Sequence, residues 1–149
     1  MDLALSEEQR LLVSTIRTFI RRELKPLEQD IEETGMLADT VAADIRKKSQ
    51  LLGLYAVNIP LEYGGGGLSV LYWMIAEEQF GRTSDILIRR AFGNVYEILL
   101  EGSAAQKHSY LLPAVRGERA FSVAFTEPEA GSDAAAITTR ATRSNDGWV

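Results

Sequence analysis

"FTEPEAGSD", residues 125–133, divides the sequence in two. Capped helical patterns with apolar stripes lie before it, and a hairpin pattern lies after it. Its own composition is that of a rigid turn. Pro128 fixes its φ and drives Glu127 toward an extended backbone, so Thr126 is expected to end a strand with its hydroxyl and amide in a fixed frame. Gly131 lets the backbone approach something closely, and Ser132 and Asp133 can cap or hydrogen-bond. A donor-rich loop at a strand end suits the cradling of a flat polar ring or a phosphate. It suits an ordinary strand-exit turn as well, and from these residues alone both readings stand.

Upstream, Ser6 and Gln9 have capping-box spacing. Leu12, Val13, Ile16, Phe19, Ile20 and Leu24 then recur at helical intervals until Pro26 stops the run. Pro26 also suits the first turn of a short helix, "PLEQDIEETG", closed by Gly35. A third helix is expected from a cap at Asp39 through Val41, Ile45 and Leu52 to Gly53. "LYAVNIP" reads as an apolar connector and "LEYGGGG" as a glycine loop. Ser69 caps "VLYWMIAEEQFG", ending at Gly81; Asp85 opens "ILIRRAFGNVYEILLEG", ending at Gly102. A second capping box, Ser103 with Gln106, begins "AAQKHSYLLPAVRG". The expected fold class is mainly α, with a helical-bundle domain over residues 1–118.

The pattern then changes period. "RAFSVAFT" has the β-branched and aromatic character of a strand. "ITTRATRS" reads as a second strand, "NDG" as a tight turn, and "WV" as the start of a returning strand. Two strands and a stub cannot bury a face in water, so residues 119–149 are expected to be the opening of a β domain. Their open edges would be satisfied by pairing with a neighbouring copy, which makes a homo-oligomer the expected state.

Charge and composition exclude several classes. A net charge of −5 over 149 residues argues against a nucleic-acid partner, because neutralising phosphates needs a basic face. Without cysteine there is neither a disulfide nor a thiolate nucleophile. No stretch reaches the roughly 18 apolar residues of a membrane span, and no signal-like run opens the chain, so a soluble cytoplasmic protein with no membrane partner is expected. His108 is the only histidine, and no metal site is expected around it. Gly64–Gly67 lack the spacing of a phosphate loop and read as a tight turn. Arg21–Arg22, Lys47–Lys48 and Arg89–Arg90 read as solvated helix faces, and Tyr72 and Trp73 as core.

"FSVAFTEPEAGSDAAAITTRATRSNDGWV" resembles the flavin-binding signature of the acyl-CoA dehydrogenases. Two more blocks agree in family order: "GLYAVNIPLEYGGGGLS" is similar to the family's connector, and "EGSAAQKHSYLLPAVRGE" to the segment leading into the signature. The resemblance implies an N-terminal helical domain, a middle β domain and a C-terminal helical domain, of which this sequence carries the first and the opening of the second. It implies a chemistry in fatty acid metabolism. A proton leaves the α carbon of an acyl-CoA thioester and a hydride leaves the β carbon for flavin N5, after which an electron-transferring flavoprotein takes the electrons.

By resemblance, Phe125 stands where the family offers backbone hydrogen bonds to the flavin, and Thr126 where a hydroxyl and amide contact it. Ser132 matches a serine between the cofactor pyrophosphate and the acyl-CoA substrate. Val123, Ala124 and Gly131 fall within the same FAD-binding span. The helix "ILIRRAFGNVYEILL" matches one lining the acyl pocket. Leu61 stands where the family often has glutamate, and Arg90 where many members have histidine; both bear on substrate class. No residue here matches the family's catalytic glutamate, which lies in the C-terminal domain. These 149 residues alone are therefore expected to be inactive and to hold FAD weakly or not at all. Two alternatives belong beside this: a free-standing helical interaction module with an unused flavin signature, and a related flavin monooxygenase or acyl-CoA reductase.

Overall fold

The computed structural model describes residues 4–93, 95–145 and 147–149. Helix α1 (Glu7–Phe19) starts as its capping box requires: the Ser6 hydroxyl accepts from the Gln9 amide at 3.2 Å and the Gln9 side chain accepts from the Ser6 amide at 2.9 Å. Its apolar stripe buries Val13, Ile16 and Phe19. Pro26 does not simply stop the run. The helix widens into a π-helical turn at Ile20–Leu24, tightens into a 3₁₀ turn at Lys25–Leu27, and resumes as α2 (Glu28–Thr34). Gly35 ends α2 in the left-handed region, at φ 68°.

Helix α3 spans Asp39–Leu51. Its cap is Ala38, not Asp39; the aspartate lies in the first turn, where its charge meets the positive end of the helix dipole. Helix α4 (Val70–Phe80) follows Ser69, whose backbone has capping geometry but whose hydroxyl makes no cap hydrogen bond. Helix α1 packs on α4 and α3 on α5 (Asp85–Ala91). Ser103 and Gln106 form the second capping box and open α6 (Ala104–Gln106). The helix continues through a π-helical turn at Lys107–Leu111 into α7 (Leu112–Val115).

The single helix expected from Asp85 to Gly102 is divided. Helix α5 ends at Ala91, and a 3₁₀ segment occupies Glu97–Glu101; Asn94 lies outside the described residues. Tertiary partners take the carbonyls that a longer helix would use. The Ser49 hydroxyl donates to the Ala91 carbonyl, and the Ala56 amide donates to the Phe92 carbonyl at 2.9 Å. Gly93 then turns at φ 81°, with the Tyr55 ring where a side chain would project.

Among the described residues the core has two clusters. Ile16, Phe19, Leu24, Ile45, Phe80 and Leu87 lead the first, where the Phe80 and Phe92 rings meet at 5.0 Å. Ile59, Val95, Leu111 and Val115 lead the second. The connector after α3 joins them, sending Leu54 and Val57 into one and Ala56 and Ile59 into the other.

The strand expected in "RAFSVAFT" does not form a ladder among the described residues. A strand is a property of a pair, and among the described residues no second strand lies in ladder register with this segment. The hairpin does form. Strand β1 (Arg143–Ser144) pairs antiparallel with β2 (Gly147–Trp148), Arg143 opposite Trp148 and Ser144 opposite Gly147. The Thr142 and Val149 backbones close it with bonds of 2.7 and 2.9 Å. Asp146 of the expected "NDG" turn lies outside the described residues.

Candidate functional site

Glu127-Pro128-Glu129-Ala130 folds back on itself: the Glu127 amide donates to the Ala130 carbonyl at 3.0 Å, and the Ala130 amide returns the bond at 3.2 Å. Ala130 is buried against this turn. The Glu127 carboxylate then reaches eleven residues on. It accepts from the Thr138 amide at 2.9 Å, the Thr138 hydroxyl at 3.0 Å and the Thr139 amide at 2.9 Å. Asp133 caps the short 3₁₀ turn Ala134–Ala136 by accepting from the Ala135 amide at 3.1 Å. The loop is therefore rigid at both ends. Glu127 is a bolt across its mouth, as its place before Pro128 suggests.

Hydrogen bonds from Thr138 and Thr139 to the charged form, the Thr138 amide first among them, pull the Glu127 pKa down from 4.5 to about 2. A carboxyl with a depressed pKa holds its structure above its ordinary value and releases it as pH falls. We expect the bolt to be intact above pH 4.5 and to give way on acidification through about 2. NMR titration of the Glu127 carboxyl should give a midpoint near 2; a midpoint near 4.5 would mean the bolt is not formed in solution.

The six residues assigned by resemblance fall on the two flanks of this turn. Val123, Ala124, Phe125 and Thr126 precede it and are exposed, with Val123 and Phe125 each 58% accessible. Among the described residues the amides of 123–126 and the Thr126 hydroxyl find no hydrogen-bond partner. Gly131 and Ser132 follow the turn, also exposed. A Cβ at Gly131 would meet nothing within 4 Å, and its φ lies outside the left-handed region. Neither crowding nor strain within the chain accounts for a glycine there. Available amides, an available hydroxyl and an uncrowded glycine around a bolted turn fit the edge of a flat polar ring such as a flavin.

The remaining candidates lie elsewhere in the fold. The amides of Gly64, Gly65, Gly66 and Gly67 donate to the carbonyls of Leu61, Pro60, Ala56 and Ile59, leaving none for a phosphate. His108 is exposed on the π-helical turn, and no metal-binding group of acidic residues and histidine occurs among the described residues. Trp73 packs on the first core cluster, whereas Tyr72 is half-buried and spans to Glu8 through its hydroxyl at 2.7 Å. Lys48, read as a solvated lysine, joins Asp44 at 2.7 Å and Glu23 at 2.6 Å, and these bonds raise its pKa. Leu61 is exposed at the start of the 3₁₀ turn Leu61–Tyr63, and Arg90 is exposed on α5. The Thr138–Thr139 pair that receives Glu127 gives no signal in sequence, since two threonines mark any strand. Among the described residues no helix is long and apolar enough to cross a membrane.

Comparison with known proteins converges on one family. The profile described as "Acyl-CoA dehydrogenase, N-terminal domain" matches residues 6–118. The 3-(aryl)acrylate reductase of Clostridium sporogenes is 31% identical over 97% of this chain and 38% of its own length. The human mitochondrial short-chain specific acyl-CoA dehydrogenase is 34% identical over 99% of this chain and 36% of its own. Among solved structures, an acyl-CoA dehydrogenase from Geobacillus kaustophilus superimposes with a TM-score of 0.76 at 25% identity, over 100% of this chain and 39% of that one. The chain thus spans well under half the length of the relatives it matches.

Proposed function

Because the chain belongs to the acyl-CoA dehydrogenase family, we propose that it contributes one side of an FAD site to an oxidoreductase acting on the α and β carbons of an acyl-CoA thioester. The flavin, when bound, supplies the acceptor for hydride. The chain's own part is to bind and orient. The Phe125 and Thr126 amides and the Thr126 hydroxyl donate to the ring edge, where reduction places negative charge; fixed donors stabilise that charge without reorganising. Val123, Ala124 and Gly131 bring backbone close to the cofactor. Ser132 would contact both its pyrophosphate and the acyl-CoA. Residues 1–118 form the helical domain, and 119–149 open the β domain that completes the site. An electron-transferring flavoprotein is the proposed electron acceptor, and the whole protein is a cytoplasmic homo-oligomer.

The observation that carries this reading is the set of unpartnered donors on 123–126, held beside a turn that Glu127 bolts in place. Thr126→Val in the intact protein tests it. Losing one hydrogen bond to a charged group costs about 1.5–3 kcal/mol, so flavin affinity or the rate of flavin bleaching by substrate should fall about tenfold. Thr126→Ser, which keeps the hydroxyl, should retain most of both. Unchanged flavin fluorescence titrations together with unchanged bleaching in Thr126→Val would remove the assignment.

The same groups serve the reverse chemistry, addition of hydride to a conjugated double bond. The similarity to a 3-(aryl)acrylate reductase favours this as the second reading. Oxidation of saturated acyl-CoA with a dye acceptor supports the first direction; reduction of an aryl acrylate by the reduced protein supports the second.

A further inference from the structure

A cleft of about 320 Å³ opens between α3, α5 and the residues after α7. Three arginines reach it from three segments: Arg46 from α3, Arg90 from α5 and Arg119 from beyond α7. Among the described residues none of the three has a carboxylate partner. The carboxylate on the cleft wall, Glu118, is held by Arg116 through bonds of 2.7 and 3.0 Å. Arg89, also on the wall, is already joined to Asp85 at 2.7 Å. Arg119 lies 6.0 Å above the Tyr110 ring. A chain of net charge −5 therefore gathers three uncompensated guanidinium groups in one concavity.

The gathering is built into the backbone. Gly117 turns at φ 72°, and a Cβ there would collide with the Arg46 Cδ and lie 2.7 Å from its Nε and 3.2 Å from the Tyr55 hydroxyl. At Gly93 a Cβ would lie 2.9 Å from the Tyr55 ring. Two glycines in left-handed conformations thus leave the room that Tyr55 and Arg46 occupy. Burial raises the Tyr55 pKa while Arg46 and Arg90 oppose it, so the phenol stays protonated and able to donate. Phe121 gives the cleft a second aromatic wall.

We propose that this cleft binds an oxyanion, a carboxylate or phosphate group on a small ligand, held by Arg46, Arg90 and Arg119 with the Tyr55 hydroxyl as a further donor. Guanidinium groups pair with both anions through parallel hydrogen bonds, and a bound anion relieves the repulsion among the three cations. The volume is that of a small ligand pocket, and the Tyr55 and Phe121 rings suit an apolar body behind the charged group. None of Phe125, Thr126, Gly131 and Ser132 lines the cleft, so its binding is tested separately from the flavin reading.

Calorimetric titration of the chain at low ionic strength tests this, with inorganic phosphate and 3-phenylpropanoate as the two probes. Saturable binding of at least one is expected, weakening as salt is added. Tighter binding of phosphate assigns the site to a phosphate group, and tighter binding of 3-phenylpropanoate to a carboxylate with an apolar body. Arg90→Gln and Arg119→Gln alter exposed side chains and should leave the melting temperature in place while each weakens binding about tenfold. Thr126→Val should leave binding unchanged, which separates this outcome from that of the flavin site. Absence of saturable binding by either probe, or equal affinity in the Arg90→Gln/Arg119→Gln double variant, overturns the proposal.

Discussion

Gly65→Ala is expected to lower the melting temperature by roughly 10 °C. A Cβ at this position would collide with the Ile59 carbonyl oxygen and lie 2.6 Å from both the Ile59 carbonyl carbon and its Cβ. These are backbone atoms and the root of a buried side chain, so no flexible tip can swing aside. Ile59 is fully buried in the second core cluster, and its carbonyl accepts the Gly67 amide at 2.9 Å. Making room therefore strains both the cluster and the loop's hydrogen bonds, at about 3 kcal/mol. Gly35→Ala is the contrast. It meets nothing within 4 Å and carries only the strain of a left-handed alanine, so it should lose clearly less. Thermal unfolding followed by circular dichroism decides the matter, and equal losses in the two variants would show that the loop can yield.

Phe80→Ala should be comparably damaging. Phe80 is fully buried and its ring meets Phe92 near the point where α5 ends, so it supports both α4 and the turn that follows α5. Large-to-small changes of this kind cost about 3–5 kcal/mol, the lost transfer energy plus the cavity left behind. Phe80→Leu keeps most of the volume and should lose markedly less. Chemical denaturation of the three proteins gives the comparison. A loss in Phe80→Ala no larger than that in Phe80→Leu would mean that the surrounding helices collapse onto the space.

Local chemistry was legible from sequence where one turn of chain contains it. Both capping boxes needed only Ser and Gln three residues apart, and Gly35 needed only the end of an apolar stripe. The glycine run was readable as a tight turn because its spacing fits no phosphate loop. What could not be read is what distant segments decide. The helix expected from Asp85 to Gly102 ends at Ala91 because Ser49 and Ala56 take its last carbonyls, and nothing near residue 91 announces that. The π-helical turns at Ile20–Leu24 and Lys107–Leu111 have the same residue types as the α-helix around them. At the candidate site, the structural place of Glu127 followed from Pro128, but the strand expected to end at Thr126 does not form among the described residues, and the threonines that receive Glu127 gave no signal. Arg46, Tyr55, Arg90 and Gly117 lie up to seventy-one positions apart, and only the fold puts them in one cleft.

The glycine loop also bears on the order in which the molecule assembles. Its cross-bonds join residues that are close in sequence, the widest being Leu68 to Val57. Closing so short a loop takes on the order of 10–100 ns and carries little entropic cost compared with bringing α1 onto α4. The connector between α3 and α4 is thus a local unit of the fold, closed by hydrogen bonds along a short span of chain at little entropic cost.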